Sequence, residues 1–564
     1  MPPLSWRWIC PRETMMDRNT LTALLLIAVV LILTPYYLQV VSPTERRTTD
    51  DSLMVEGEGT PPLQTIDPEE SPSSRTEKQL VVPRTGAVDE KVFSIESDLY
   101  FAEISSRAGG SINSFILKKY LGPDSNYVDL IDDANRENLS IQAKNLDAEL
   151  LDLSSPWRIR NVPYTERITA PTSITFFTSI YKNKEITKTI TFYPDSYLLD
   201  IEIDLSSCSE ELLSGLFSFS WYGGLPSTEK NTSEDQTYFS SYVYQGGELD
   251  DIKASQGENI LNSYKGSLDW AVIRTKYFLT SFIPNDPTVV TSASIGASYN
   301  DRETYDMSIF VPSNDLFRTS VYLGPLEYSR INQIGKDLDL VMNFGWFIIV
   351  PISKGVLWLL KNMHSYIPNY GFVLILFSIL IKVVVYPLTK KSYQSTRAMQ
   401  ALQPEVAALK EKLKANPQKL NQATMALYKK RGVNPLGGCL PMLLQMPLLF
   451  ALFTVFRTTI ELRGEPFILW IKDLSAPDVI FDLPFSIPIY GDFVCALPIL
   501  MAFSMFIQQK MMTGGAEQQA QQKMMQYFMM AFFFLIFNSF PSGLNLYYTL
   551  FNVLTILQQK YVSS

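Results

Sequence analysis

One lysine stands inside an apolar run of membrane length, where a charged side chain is costly. The run is YGFVLILFSILIKVVVYPLTKK, residues 370–391, and the lysine is Lys382. A lysine at the middle of a bilayer costs roughly 3 kcal/mol on insertion scales. Counted from Leu388 at about 1.5 Å per residue, Lys382 lies about 9 Å inside the span. Two explanations are open: the long side chain snorkels to the head groups, or the cation attracts an anionic group.

Other polar side chains fall in the same half of the apolar segments. Gln445 lies about 14 Å inside its own segment from the same side. In the last segment the polar residues are spaced by 3, 4 and 3, which places them on one helical stripe. The polar set is Ser378, Lys382, Gln445, Ser504, Asn545, Thr549 and Asn552, with Ser542 and Gln508 at its edges. We therefore predict a shared wet cavity in which Lys382, with no acidic residue in these spans, attracts anions.

Catalytic and metal-binding residues are scarce. The chain has one histidine and four cysteines, and the cysteines are scattered singly. That pattern supports neither a disulfide framework nor a multi-ligand metal site. The GxSxG, HExxH and GxxxxGK[ST] patterns are absent. We expect no enzymatic activity, no cofactor, no metal and no DNA partner.

The positions of the polar set depend on how the chain is organised. We predict an N-terminal signal-anchor helix in 1–41, around LTALLLIAVVLILTPYYLQVV, with a cleaved signal peptide as the competing interpretation. A flexible linker follows in 42–79. Residues 80–335 contain short alternating runs such as YLLDIEIDLSS, which predict a large antiparallel β-sandwich. Residues 336–369 are interpreted as an amphipathic interfacial helix rather than a true span.

Residues 370–564 are predicted to hold five membrane spans. Their predicted bounds are 370–389, 436–457, 493–510, 524–541 and 542–558. Between the first two, residues 389–434 carry ten Lys/Arg against two Glu, a net charge of +8. Because basic loops stay in the cytoplasm, this segment is predicted to be cytoplasmic. Both termini are then cytoplasmic and the β domain is outside.

The basic segment 390–434 itself is predicted to be a helical hairpin. Ala398, Leu402, Val406, Leu409 and Leu413 share one stripe, and Asn416-Pro417 supplies the turn. Its outer face carries Lys410, Lys412, Lys414, Lys419, Lys429, Lys430 and Arg431. This face is either an ordinary solvated surface or a docking arm for ribosomal RNA or lipid head groups.

Four stretches of the C-terminal half are distinctive: VNPLGGCLPMLLQMPLLFALF, ELRGEPFILWIKDLSAPD, FPSGLNLYYTLFNVLTILQQ and YPLTKKSYQSTRAMQALQPE. They resemble the YidC/Oxa/Alb family of membrane protein insertases. The segments MDRNTLTALLL and AGGSINSFILKKY extend the resemblance towards the N-terminus. The match is most specific over residues 341–564.

The resemblance implies a polytopic α-helical membrane protein with an N-terminal anchor, a five-helix insertase core, a cytoplasmic hairpin and a periplasmic β-supersandwich. It implies a hydrophilic groove open to the cytoplasm and the lipid, with Lys382 at the position of a groove cation that is usually arginine. Gln445, Tyr547 and Tyr548 match other groove positions. The implied location is the bacterial inner membrane.

The implied partners are nascent membrane proteins, the Sec translocon with its accessory subunits, lipids and the ribosome. The chain ends at QQKYVSS without a long basic tail. Ribosome docking is therefore expected on the hairpin and the 508–523 loop. The main alternative function is a secondary transporter or channel, against which stand the odd number of core spans and the lack of a visible inverted repeat. A hydrolase is the weaker rival.

Overall fold

The structure, a computed structural model, describes residues 88–161, 167–181, 184–299, 302–413, 416–433, 440–487, 490–512 and 520–563. Residues 75–517 and 530–564 belong to one compact unit. The predicted N-terminal anchor (1–41) and linker (42–79) lie outside the described residues, as does Lys414.

Residues 92–325 form an antiparallel β domain of eighteen described strands. In chain order they are β1 (Val92–Glu96), β2 (Tyr100–Ser105), β3 (Ser111–Leu121), β4 (Tyr127–Asp129), β5 (Ser140–Asn145), β6 (Arg158–Ile159), β7 (Thr172–Tyr181), β8 (Lys184–Phe192), β9 (Leu198–Asp204), β10 (Leu212–Trp221), β11 (Ser240–Gln245), β12 (Glu248–Ile252), β13 (Asn259–Lys265), β14 (Trp270–Arg274), β15 (Phe278–Pro284), β16 (Ser292–Tyr299), β17 (Glu303–Pro312) and β18 (Phe317–Pro325). The predicted antiparallel β-sandwich is confirmed.

Three sheets share these strands. A nine-stranded sheet has the order β12-β11-β14-β15-β18-β9-β8-β7-β6. A five-stranded sheet, β13-β16-β17-β10-β5, and a four-stranded sheet, β1-β2-β3-β4, pack against it. Ring pairs mark the two interfaces: Phe219 and Phe282 are 4.5 Å apart, and Phe93 and Phe176 are 6.2 Å apart.

The period-2 pattern decides which strand face is buried. In β9, Leu199, Ile201 and Ile203 are fully buried, whereas the residues between them are only partly covered. A strand projects successive side chains to opposite faces, so this alternation places one face in the core.

The C-terminal part is helical. A short helix in the β domain is α1 (Thr232–Gln236), and the others are α2 (Tyr328–Ile334), α3 (Ile349–His364), α4 (Tyr370–Ala401), α5 (Gln403–Lys412), α6 (Pro417–Lys430), α7 (Leu440–Thr458), α8 (Ala496–Met512), α9 (Ala520–Phe537) and α10 (Ser542–Ser563). Among the described residues, Tyr370–Pro387 is the stretch that is long and apolar enough to cross a membrane. Helix α10 packs against α4, α7 and α8.

Several predicted boundaries need correction. Helix α4 continues to Ala401, so the first residues of the predicted hairpin segment 390–434 extend this helix instead. The hairpin consists of α5 and α6, because Pro404 lacks an N–H and starts a new helix at its first turn. The span predicted at 493–510 begins at Ala496, since the preceding residues pair as a strand.

That strand belongs to a hairpin in the segment between the second and third predicted spans. Its strands are β19 (Val479–Ile487) and β20 (Gly491–Cys495), which pair antiparallel. Helix α9 ends at Phe537, short of the predicted span end at 541. The next side chain, Asn538, is buried and binds the backbone of β20 and its turn.

Helix α3 has the amphipathic character predicted for residues 336–369. Its buried residues are Ile349, Ser353, Val356, Leu357 and Leu360, which lie on one face. Trp346, Phe347 and Trp358 are 70%, 84% and 66% exposed. Two lysines of α3 pair with acidic groups: Lys354 with Asp339 at 2.7 Å and Lys361 with Glu461 at 3.0 Å.

Largely buried ion pairs join the β domain to the end of α7 and to the segment that follows it. Arg463 Nε lies 2.7 Å from Glu229 Oε1, and Arg457 Nη2 lies 3.3 Å from Glu234 Oε1. Arg463 also donates to the carbonyl oxygens of Leu121 and Thr228, at 2.8 and 3.2 Å. Burial raises the pKa of the Glu229 carboxyl, and the charge of Arg463 opposes that shift. We call Glu229, Glu234, Arg457 and Arg463 the charged clamp.

Candidate functional site

Lys382 lies where helix α4 meets α10. Its Nζ donates a 2.6 Å hydrogen bond to Thr555 Oγ1 and lies 4.1 Å from the centre of the Phe551 ring. Within the described residues no carboxylate comes into ion-pair distance of Lys382. The charge is therefore held by a hydroxyl and an aromatic face, which stabilise a cation without neutralising it.

The Thr555 hydroxyl accepts the hydrogen bond from Lys382 because its own proton is donated elsewhere. The Thr555 hydroxyl donates to the Phe551 carbonyl at 2.7 Å, one helical turn back. Its lone pairs then face α4 and accept from Lys382. A second bond joins the same two helices, since Gln558 Nε2 donates to Thr389 Oγ1 at 3.2 Å.

The polar stripe of α10 also reaches α8. Asn552 Nδ2 donates to Ser504 Oγ at 3.1 Å, and both side chains are buried. Nearer the start of α10, Asn545 Nδ2 donates to the carbonyl of Phe537 at the end of α9 and to that of Phe540 just beyond it. The stripe thus contacts three neighbouring helices, as its helical spacing predicts for a face turned into a bundle.

A cluster of buried polar atoms has no hydrogen-bond partner within the described protein. It consists of Gln445 Nε2 of α7 with Tyr547 Oη and Tyr548 Oη of α10, and Asn545 Oδ1 earlier in α10 also has no partner there. The Gln445 amide lies beside both tyrosine hydroxyls without completing a bond of normal geometry to either. Each unsatisfied buried polar group costs about 1–3 kcal/mol. Such a cluster is therefore stable only where water or a polar ligand reaches it.

Two predicted site residues direct their hydroxyls into their own helices. Ser378 is fully buried and donates to the Leu374 carbonyl at 2.7 Å. Thr549 donates to the Asn545 carbonyl at 2.8 Å. These back-bonds satisfy the hydroxyl protons locally, so both residues line the polar region without bridging between helices.

The described basic residues of the α5–α6 hairpin are all exposed. They are Lys410, Lys412, Lys419, Lys429, Lys430 and Arg431. Arg431 Nη2 also bonds Glu405 Oε1 at 2.6 Å, which ties the end of α6 to the start of α5. Exposed surface pairs of this kind contribute little stability. The hairpin therefore presents a cationic surface rather than a charge-neutral one.

Four residues of the site were missed from the sequence: Thr389, Phe551, Thr555 and Gln558. The sequence did carry a signal for Thr555 and Gln558. The polar stripe Asn545, Thr549, Asn552 continues at helical spacing through both of them. Nothing local marked Phe551, since an aromatic residue in an apolar helix is ordinary. Thr389 lies on another helix and is identified only by contact.

Comparison with known proteins identifies the family. Residues 92–359 match the profile of the YidC periplasmic domain, and residues 362–564 match that of the 60Kd inner membrane protein. A membrane protein insertase YidC of Chlorobium luteolum is 35% identical over 97% of this chain and 95% of its own. Its counterpart in Chlorobium phaeovibrioides is 36% identical with the same coverage.

A solved structure has the same family name. The crystal structure of an active YidC insertase with its first transmembrane domain resolved covers 84% of this chain and 93% of its own, at 17% identity and a TM-score of 0.36. The relatives of known name match nearly the whole of both chains. The chain therefore belongs to the YidC family of membrane protein insertases, and its β domain is the periplasmic domain of that family.

Proposed function

We propose that this insertase carries the polar segment of a nascent membrane protein through a groove lined by α4, α7, α8 and α10. The observation that supports this most directly is the buried polar cluster of Gln445, Tyr547 and Tyr548, in which one amide nitrogen and two hydroxyls lack partners within the described protein. Polar groups of a passing chain, or water moving with them, would satisfy those atoms. Lys382 would then attract an acidic or polar tail from the cytoplasm.

The proposed mechanism is one of solvation and requires no covalent chemistry. An unsatisfied backbone or polar group in hydrocarbon costs several kcal/mol, and a polar groove reaching partway into the bilayer removes part of that barrier. The apolar segment of the substrate can meanwhile enter the lipid directly. We accordingly propose that the protein is not an enzyme and uses no nucleotide, metal or other cofactor.

The proposed topology follows from charge. Helices α4, α7, α8, α9 and α10 would be the five core spans, preceded by the N-terminal anchor, with both termini in the cytoplasm. The support is the net +8 of residues 389–434, which the positive-inside rule assigns to the cytoplasm. The membrane would be the inner membrane of a bacterial cell, with the β domain in the periplasm.

Partners other than the substrate are proposed from the exposed charge. The basic α5–α6 hairpin and residues 508–523, which include the end of α8 and the start of α9, would dock on the ribosome or on anionic head groups, because Lys and Arg side chains favour both. The Sec translocon and its accessory subunits are proposed as further partners because the family resemblance implies them.

Site-specific photo-crosslinking tests the groove. A benzophenone amino acid placed at Thr549 in the polar stripe is compared with one at Val384, which is 64% exposed on α4. Ribosome-bound substrates of increasing length are presented to membrane vesicles that contain each variant. We expect the polar tail to crosslink at Thr549 before its apolar segment crosslinks at Val384. Equal crosslinking of the tail at both positions would contradict a groove.

We expect Tyr547→Phe to weaken insertion without weakening the fold. The Tyr547 hydroxyl is buried and unpaired within the described protein, so its removal relieves about 1 kcal/mol of desolvation. If the hydroxyl contacts the substrate, removing it raises the barrier to insertion by about 0.5–1 kcal/mol, which slows insertion roughly two- to fivefold. Thermal unfolding and a reconstituted insertion assay measure the two effects.

Tyr197→Phe is the matched control for that variant. The Tyr197 hydroxyl is likewise buried without a partner, but it lies in the periplasmic domain. Tyr197→Phe should raise or preserve the stability of the protein and leave its insertion rate unchanged. An equal insertion defect in both variants, or no defect in Tyr547→Phe, would show that the Tyr547 hydroxyl does not contact the substrate.

A further inference from the structure

The β19–β20 hairpin exposes large apolar side chains, and its strand β19 is uncovered on both faces. Seven of the nine residues of β19 are exposed, which includes neighbouring residues on either side of the strand. Ile480, Phe481 and Phe485 are 52%, 59% and 62% exposed. A strand pair covered on one side by its own protein would bury one of these faces, as β9 does. This hairpin buries neither.

The hairpin is nevertheless held firmly at its base. The buried Asn538 side chain donates to the carbonyls of Tyr490 and Phe493, at 2.9 and 2.7 Å, and accepts from Cys495 N. The Tyr490 ring lies 5.5 Å from that of Phe534. At the other strand, Asp478 accepts from Leu497 N and from the Trp470 indole. The hairpin is therefore fixed in position while its apolar side chains stay exposed.

The apolar surface continues into helix α8. Cys495 ends β20 and Ala496 begins the helix, so no linker separates the two. Along α8, Ile499, Phe503 and Phe506 lie on one face at helical spacing and are 44%, 62% and 40% exposed. If α8 is a span, as proposed above, this face contacts lipid. The hairpin continues the same surface beyond the outer end of the helix.

We propose that the β19–β20 hairpin is an interfacial anchor that lies in the outer leaflet of the membrane, with both faces in contact with phospholipid. Lipid is favoured over a protein partner because fluid molecules can cover two opposite faces at once, and because the surface is continuous with that of α8. Asp482 and Asp492 are exposed on the hairpin, which sets it at the boundary of head groups and acyl chains rather than deeper. The indole of Trp470 at its base suits the same level.

Spin-label accessibility in proteoliposomes tests this placement. The full chain, with Cys10→Ser and Cys439→Ser, is labelled at Ile480→Cys or Phe481→Cys and reconstituted in phosphatidylethanolamine and phosphatidylglycerol. Cys208 and Cys495 are buried and remain. Oxygen reports acyl-chain contact, and a water-soluble nickel chelate reports contact with water. Phe485→Cys repeats the measurement if either variant fails to fold.

Two reference sites make the outcomes distinct. Phe503→Cys on α8 is the lipid reference, and Leu261→Cys, 60% exposed on β13, is the water reference. We expect both hairpin labels to favour oxygen over nickel, as at Phe503. Hairpin labels that behave like Leu261, or that neither reagent reaches because a second copy covers them, would overturn the anchor. If Phe503→Cys itself favours nickel, the proposed span topology fails, and the anchor that rests on it fails as well.

Discussion

Lys382→Ala is expected to slow the insertion of substrates with acidic tails roughly five- to thirtyfold, a change of about 1–2 kcal/mol in the barrier. Two unit charges 4 Å apart gain about 1 kcal/mol in water and about 4 kcal/mol near a protein surface, and a wet groove lies between these limits. Lys382→Glu should slow the same substrates further, because it repels the tail. The measurement is the insertion rate of one substrate whose tail is either acidic or neutral.

The neutral-tailed substrate is the control for the charge effect. The insertion rate of this substrate should change little in Lys382→Ala or Lys382→Glu, because its tail carries no charge for the cation to attract. Lys382→Arg keeps the charge and adds a planar fork that binds carboxylates bidentately, so it should match or exceed the parent. Equal slowing of acidic and neutral tails would show that Lys382 acts through packing.

Thr555→Val separates the position of the charge from its presence. The Thr555 hydroxyl accepts the 2.6 Å hydrogen bond from Lys382 Nζ, and valine has nearly the same shape without it. The ammonium group of Lys382 should remain charged but lose the hydrogen bond that fixes its position. We therefore expect a smaller slowing with acidic tails than Lys382→Ala gives.

Arg463→Ala is expected to destabilise the contact between the periplasmic domain and the segment after α7 by about 3–5 kcal/mol. The Arg463 side chain is 7% exposed, and that of Glu229 is 18% exposed. Removing the guanidinium leaves a buried carboxylate and two carbonyls without their donor, which costs more than the pair itself contributes. Hydrogen exchange of residues 121–129 and 460–475 in the full-length protein should accelerate.

The effect of pH on this variant has a definite sign. Burial raises the pKa of Glu229, and without Arg463 only the hydrogen bond from the Thr228 hydroxyl still opposes that shift. The folded state then binds a proton at Glu229 more readily than the unfolded state does. Its stability is highest at low pH and falls as pH rises through the raised pKa. The defect of Arg463→Ala should therefore be larger at pH 8 than at pH 5.

Glu229→Gln and the double variant complete a double-mutant cycle. The double variant should be less destabilised than the sum of the two single variants, because each single change leaves one charge buried and unpaired. Arg463→Lys keeps the charge but cannot reach Glu229, Leu121 and Thr228 together, so we expect an intermediate loss. Strict additivity in the cycle would mean that the two residues are not energetically coupled.

Some features of the protein were predictable because their signals are local. The alternation of Leu199, Ile201 and Ile203 predicted the buried face of a strand, and the spacing of Asn545, Thr549 and Asn552 predicted a polar helical face. Both patterns repeat within a few residues, so they need no knowledge of the partner element. The boundaries of the helical elements were less accurate, because caps and strand pairing decide where a helix ends.

The partners of the site were not predictable in this way. Lys382 and Thr555 are separated by 173 residues, and Asn552 and Ser504 by 48. The charged clamp joins Arg463 to Glu229 across 234 residues. Spacing within one element says nothing about which residue of another element it meets, because that depends on how the elements pack.

By itself the sequence determined the family, the β-rich domain followed by helices, and the presence of one cation among polar groups in the last segments. Only the tertiary structure decided that this cation rests on Thr555 and Phe551, and that the hydroxyls of Tyr547 and Tyr548 lie beside Gln445 without a hydrogen bond. It alone revealed that a pair of strands precedes α8. The physical reason is range: periodicity is a property of one element, whereas a site is made by side chains that several elements bring together.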